Sequence, residues 1–146
     1  AKTADEAALS AAVALLAQAS TVHVMGLRRA FPVACYLAYV FEKMAVPAML
    51  HDGVGKLDHR NALRPGDAVL AISFAPYSEE TLALVQDARA RGLAVVALTD
   101  GAASPLGKLA TNVLSVAEVD FRAFRSLSAT IAMALTLAVA VGSARE

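Results

Sequence analysis

The chain has no tryptophan, one cysteine, and only 5% aromatic and 18% charged residues among its 146. Each scarcity closes off a class of protein. The lone Cys35 rules out an internal disulfide framework and lacks the companions a zinc site needs, so a reduced, cytoplasmic setting is expected. Thirteen basic and thirteen acidic side chains cancel without clustering, which removes the basic footprint of a nucleic-acid surface. Long hydrophobic runs are missing as well. LSATIAMALTLAVAVG, Leu127 to Gly142, falls short of the ~20 residues a bilayer helix requires and contains Ser128, Thr130 and Thr136. It reads as a buried or subunit-interface helix, and no membrane partner is expected. AKTADEAALS is polar and resembles no secretory leader; a start without Met reads as an excised domain or a processed chain.

What is present in excess is aliphatic surface. Apolar residues make up 58% of the chain, enough for one domain with a sizeable core and an apolar remainder that fits a contact with another subunit. Ala4 to Ala19, rich in Ala and Leu without glycine or proline, predicts a helix. VHVM (Val22 to Met25) predicts a strand closed by Gly26. FPVACYLAYVFEKM predicts a helix opened by Pro32. PAML (Pro47 to Leu50) predicts a brief strand ending at His51-Asp52-Gly53, followed by a short helical piece over Gly55 to Leu63 and the turn RPGD. AVLAIS (Ala68 to Ser73) does not alternate and should be buried on both faces. Ser78 has the pattern of an N-cap, with Glu79 and Glu80 in the first turn of a helix running to Arg91 and ended by Gly92. AVVALT (Ala94 to Thr99) predicts another buried strand, Ser104-Pro105 a short helix, NVLSV the last strand, and Arg122 to Val141 the last helix.

Strands that alternate with helices and are apolar throughout need cover on both sides. The expectation is an α/β fold, a doubly wound five-stranded parallel sheet in the flavodoxin-like order 2-1-3-4-5. Ligands of such sheets bind beyond the carboxyl ends of the strands where the order reverses. In this order the reversal sets GLRRAF, after the first strand, beside SFAPYS, after the third.

Four stretches in sequence resemble a sugar isomerase (SIS) domain, most closely the effector domain of RpiR-type bacterial transcription regulators: VHVMG before a helix, LRPGDAVLAIS, YSEET opening a helix, and RGLAVVALTDGAASPLGKLAT. The resemblance covers nearly the whole chain. Its usual first loop is Gly-x-Gly-x-Ser and its second Ser-x-Ser-Gly-x-Thr-x-Glu. Gly26, Ser73 and Glu80 match, and Ser78 stands in the Thr position. Arg28 replaces the second glycine, Ala30 and Ala75 replace serines, and Pro76 replaces the second loop's glycine. Thr111 stands where the last strand is usually preceded by Asp. SIS domains that bind phosphosugars hold the phosphate with loop hydroxyls and amides; two hydroxyls and one N–H of that kind are missing here.

The candidate ligand-binding residues are Gly26, Arg28, Arg29, Ser73, Tyr77, Ser78 and Thr81. Two guanidinium groups ahead of a helix N-terminus can grip phosphate or carboxylate and replace the missing donors. The plainer alternative makes them rim arginines or partners of another subunit's acids. Ser78 has a competing role as a cap, which favours Ser73 at its strand end. Tyr77 suits a sugar face, a lid or an interface. His51 beside Asp52, with His59 eight residues beyond His51, has the residue types of acid–base chemistry, but spacing alone sets the pair on a surface turn. His23, inside a strand, reads as a core residue with a satisfied nitrogen, and Cys35 as a small core residue. Leu127, Ile131, Leu135, Ala138 and Val139, with the first helix, are candidates for a subunit interface.

The resemblance implies a sensor that binds a phosphorylated or acidic sugar derivative between Gly26–Phe31 and Ser73–Ser78. It further implies a homodimer or higher homo-oligomer, and DNA binding only through an attached N-terminal helix-turn-helix domain. No cofactor or metal is implied. Two other functions remain open: a sugar-phosphate isomerase using Glu80 or His51, and a dimerisation module without a working pocket.

Overall fold

The computed structural model describes residues 2–146, and side chains from Asp5 onward. Its strands are β1 (Val22–Gly26), β2 (Ala48–His51), β3 (Ala68–Ile72), β4 (Ala94–Thr99) and β5 (Asn112–Ser115). They form one parallel sheet in the order β2-β1-β3-β4-β5. The helices are α1 (Lys2–Ala17), α2 (Phe31–Lys43), α3 (Glu79–Ala90), α4 (Pro105–Leu109) and α5 (Ser128–Ala144).

The unbroken apolar character of the central strands has its reason in this arrangement: each side-chain row meets a layer of helix. Val22, Val24, Leu70, Ile72, Val96 and Leu98 point to one face, where α1, α2 and α5 supply Leu16, Leu37, Phe41 and Leu137. Met25, Val69, Ala71, Val95 and Ala97 point to the other, against Leu84, Val85 and Ala88 of α3 and Leu106 of α4. All of these are at most 6% exposed, so truncating any of the leucines to alanine costs about 2–5 kcal/mol.

Gly26 ends β1 where α2 approaches closely. A Cβ there would lie 3.1 Å from the Ala30 carbonyl oxygen and 3.3 Å from the Ala34 Cβ. Glycine thus lets the first loop fold tightly back over the sheet's edge.

Four expectations need correction. The last helix begins at Ser128, not Arg122; the preceding segment is a turn closed by an antiparallel bridge between Asp120 and Arg125, with Arg122 at φ 70° and Phe121 stacked on Phe124. The piece over Gly55 to Leu63 is not one helix but two separate 3-10 turns, Val54–Lys56 and Arg60–Ala62, because Gly55 and His59 take left-handed backbone. Ala138 is fully buried in the core, so only Leu135 and Val139 of the proposed interface face are exposed, while Leu127 and Ile131 pack against the core. Cys35 is half-buried on α2 instead of lying in the core. No helix among the described residues is long and apolar enough to cross a membrane.

Candidate functional site

β1 and β3 are hydrogen-bonded neighbours with Gly26 opposite Ile72, so the loops that follow them leave the sheet side by side at its carboxyl edge. They are tied together by one contact. The Arg29 guanidinium lies over the Phe74 ring, 4.8 Å from its centroid, an attraction worth about 0.5–2 kcal/mol depending on exposure. Arg29 Nη1 is buried without a hydrogen-bond partner. Arg28 is exposed and sits at φ 58°, at the position where the resemblance calls for glycine. An L-residue held there costs about 1–2 kcal/mol, a strain that tends to persist at functional sites.

The second loop is built from its own hydroxyls. The Ser78 N–H donates to Ser73 Oγ at 3.2 Å, and the Thr81 N–H donates to Ser78 Oγ at 3.2 Å, which makes Ser78 the N-cap of α3. Both serines are at most 4% exposed, and Thr81, fully buried, leaves its hydroxyl without a partner. Ser73, Ser78 and Thr81 therefore shape the loop from beneath, and two of the helix-end donors a phosphate would seek are already committed. Tyr77 reaches sideways, its hydroxyl donating to Asp100 after β4. Partial burial and that bond raise the Tyr77 pKa. Burial pushes the Asp100 carboxyl up, but the bonds from Tyr77 and the Ala75 N–H outweigh it and hold it below its ordinary value.

Three depressions follow this edge. The smallest, about 170 Å³, lies between the two loops and is lined by Arg28, Arg29, Ser73, Phe74, Pro76 and Ser78. It suits an acidic group, not a whole sugar derivative, since small-molecule sites run to ~300–1,000 Å³. Leu27 also lines a cleft of about 570 Å³ between α3 and the segment after β2. Arg29 and Phe74 also line a third, about 400 Å³, with Asp5, Asp100, Glu118 and Arg125. The arginines thus stand at the centre of a continuous rim, with acidic side chains on both flanks.

His51 does not decorate a surface turn. It ends β2 on the α3 side of the sheet, is 2% exposed, and lines the large cleft, whereas its neighbour Asp52 is exposed. Its Nε2 lies 2.8 Å from His23 Nδ1, and His23 Nε2 lies 2.8 Å from Asp67 Oδ2. His23 is thus the satisfied core histidine expected of it. Desolvation, aided by His23, lowers the His51 pKa to about 4. The sequence offers one signal for this network: histidines on two adjacent strands, each near a strand end. Glu118 carries no such signal. Its carboxylate accepts from Ala129 N, Thr130 N and Thr130 Oγ1, so it caps α5 from eleven residues upstream. Burial pushes this carboxyl up, but the bonds from Thr130 and Ala129 and the charge of Arg29 prevail and lower its pKa. Among the described residues no cluster of His, Cys, Asp or Glu is arranged to hold a metal ion.

The family model of the SIS domain matches residues 15–141. Among solved structures, the chain is similar to the sugar isomerase domain of the RpiR transcription factor from Sphaerobacter thermophilus, at 25% identity and a TM-score of 0.85, covering 94% of this chain and 78% of that one. It is also similar in fold to the Vibrio vulnificus NanR protein complexed with ManNAc-6P, at 23% identity and a TM-score of 0.78, covering 95% of this chain and 53% of that one. A third, E. coli CFT073 c3406 in complex with arabinose-5-phosphate, shares 16% identity with a TM-score of 0.72, covering 95% of this chain and 84% of that one. A search of curated protein sequences finds no match.

Proposed function

This chain belongs to the SIS domain family, and from that membership we propose that it is the carbohydrate-sensing part of an RpiR-like bacterial transcription regulator. It binds a phosphorylated or acidic sugar derivative, with the acidic group between Gly26–Phe31 and Ser73–Ser78. The observation that carries this reading is the pair of arginines at the switch point: Arg28 exposed in a strained backbone, Arg29 stacked on Phe74 with one guanidinium nitrogen unpartnered. In a loop whose hydroxyls serve its own cap, these cations take over the anion-holding role. Similarity to the RpiR sugar isomerase domain at 25% identity favours a regulator, and the sugar-phosphate complexes of two similar folds favour a sugar phosphate as ligand.

The sensor works as a homodimer whose geometry changes when the ligand binds one arrangement better than the other, and a DNA-binding domain attached to this one reads the change. A thermal-shift panel of sugar phosphates tests the binding step. At least one member raises the melting temperature of the wild type and fails to do so in the Arg28→Ala/Arg29→Ala variant. A blank panel would favour the pocket-less dimerisation module.

One observation favours a second reading. His51 and Glu80 line the same cleft, and His51 is backed by His23 and Asp67 in a manner that suits proton transfer beside a carbonyl. Turnover of an aldose phosphate to its ketose, lost in Glu80→Gln, would make the protein an isomerase.

A further inference from the structure

The buried chain of His51, His23 and Asp67 has a direction. Asp67 Oδ2 accepts the Arg64 backbone N–H at 3.0 Å and faces His23 Nε2 at 2.8 Å. A carboxylate can only accept, so the His23 proton sits on Nε2, and in the neutral ring Nδ1 carries a lone pair. His51 Nε2, 2.8 Å away, must then donate. The parity of the chain leaves His51 Nδ1 as an acceptor. That atom is buried and has no partner, in a side chain that lines the 570 Å³ cleft. A buried acceptor left unmade carries a free-energy penalty, which a ligand bringing a donor would remove.

We propose that His51 Nδ1 is the hydrogen-bond acceptor of a polyol subsite: the cleft between α3 and the segment after β2 takes the hydroxyl-bearing part of a sugar derivative, while the acidic part is held at Arg28 and Arg29. The inference rests on the sugar-derivative reading above and adds the ligand's orientation and one residue that selects it. The rim agrees. Asp58, Glu79 and Glu80 accept from hydroxyls and repel a phosphate. Of the cleft's cations, Arg60 is already paired with Asp58 at 3.0 Å, which leaves Lys56. Met25 and Leu84 offer an apolar wall to the C–H face of a sugar, and Leu27, shared with the arginine depression, makes the two subsites neighbours. The lowered pKa of His51, caused first by desolvation and then by His23 and His59 against the opposing backbone of Asp58 and charge of Asp52, keeps the ring neutral near pH 7 and therefore an acceptor. The opposite protonation, with Nδ1–H turned toward the Asp58 backbone, would demand an imidazolium at His23.

Long-range nitrogen NMR of the histidine rings tests this on the wild-type protein. At neutral pH the free protein should show His51 protonated on Nε2 and bare on Nδ1. Titration with arabinose-5-phosphate or ManNAc-6P should shift the His51 Nδ1 resonance and the amides of Gly53 to Leu57, whereas inorganic phosphate should shift only the amides around Arg28 and Arg29. His51→Phe should weaken the sugar phosphate about tenfold and leave inorganic phosphate unchanged. If that variant does not fold, the wild-type tautomer and titrations decide. A proton on His51 Nδ1 in the free protein would overturn the proposal. So would a sugar phosphate that moves the arginine-loop signals but not those of His51; the sensor reading would survive both results. If neither sugar phosphate moves either set of signals, the sensor reading falls and the subsite with it.

Discussion

Arg28 occupies a backbone conformation that glycine adopts freely, yet it carries a charge that glycine lacks. The two properties give mutations of opposite sign. Arg28→Gly relieves about 1 kcal/mol of strain, partly offset by the freer unfolded chain, so denaturation should show equal or higher stability. In calorimetry the same variant should bind a sugar phosphate more weakly; loss of both stability and affinity would mean Arg28 serves the fold instead. His51 makes a prediction about pH. Its pKa is about 4 in the folded protein against an ordinary 6.5, so between these values the unfolded chain binds more protons. Stability is therefore full above about pH 6.5 and declines as pH falls toward 4, by on the order of 3 kcal/mol. Urea denaturation across this range should show the decline in the wild type and a smaller one in His51→Phe; equal slopes would place the titration elsewhere. Residues whose role is local were legible in the sequence: Ser78 followed by two glutamates announces a cap within one turn. His51 was not, because its inward direction depends on the pairing of Met25 with His51, which no local pattern records.

At the level of elements, α5 shows where local propensity stops being informative. The residues from Arg122 to Leu127 suit a helix opening, yet Arg122 takes left-handed backbone and the helix begins only at Ser128. The cap arrives from Glu118, in the segment after β5, and only tertiary structure brings it there. Replacing Glu118 with alanine should cost about 1–2 kcal/mol, measured by denaturation, by removing both a cap and a negative charge at a helix N-terminus. Because the Glu118 pKa is lowered, this contribution is present above its ordinary carboxylate range and is lost as pH falls below it; a Glu118→Ala penalty that stayed constant into acid would contradict the assignment. β4, by contrast, runs from Ala94 to Thr99 as its sequence suggests, since a strand buried on both faces has no polar residue to blur its limits.

For the whole molecule, the sheet order was legible because continuous apolar strands admit few arrangements, and that order alone brought the Arg28–Arg29 turn beside Ser73–Ser78. The division of the edge into a cationic centre and acidic flanks was not legible, because it arises from where Asp58, Asp100 and Glu118 are carried by segments far apart in the chain. The outer surface of α5 remains apolar at Leu135, 38% exposed, and Val139, 42% exposed. If these residues meet a second copy, Leu135→Glu with Val139→Glu should shift sedimentation from dimer to monomer without unfolding the chain; a wild type that is monomeric at micromolar concentration would contradict the dimer. The most direct test of the whole account is calorimetry of one sugar phosphate and its unphosphorylated parent sugar, each against the wild type and Arg28→Ala/Arg29→Ala. The account predicts that removing the phosphate and removing the arginines each abolish most of the binding, and that doing both adds little further loss. Equal affinity for the two sugars, or a sugar phosphate bound as tightly without the arginines, would contradict it.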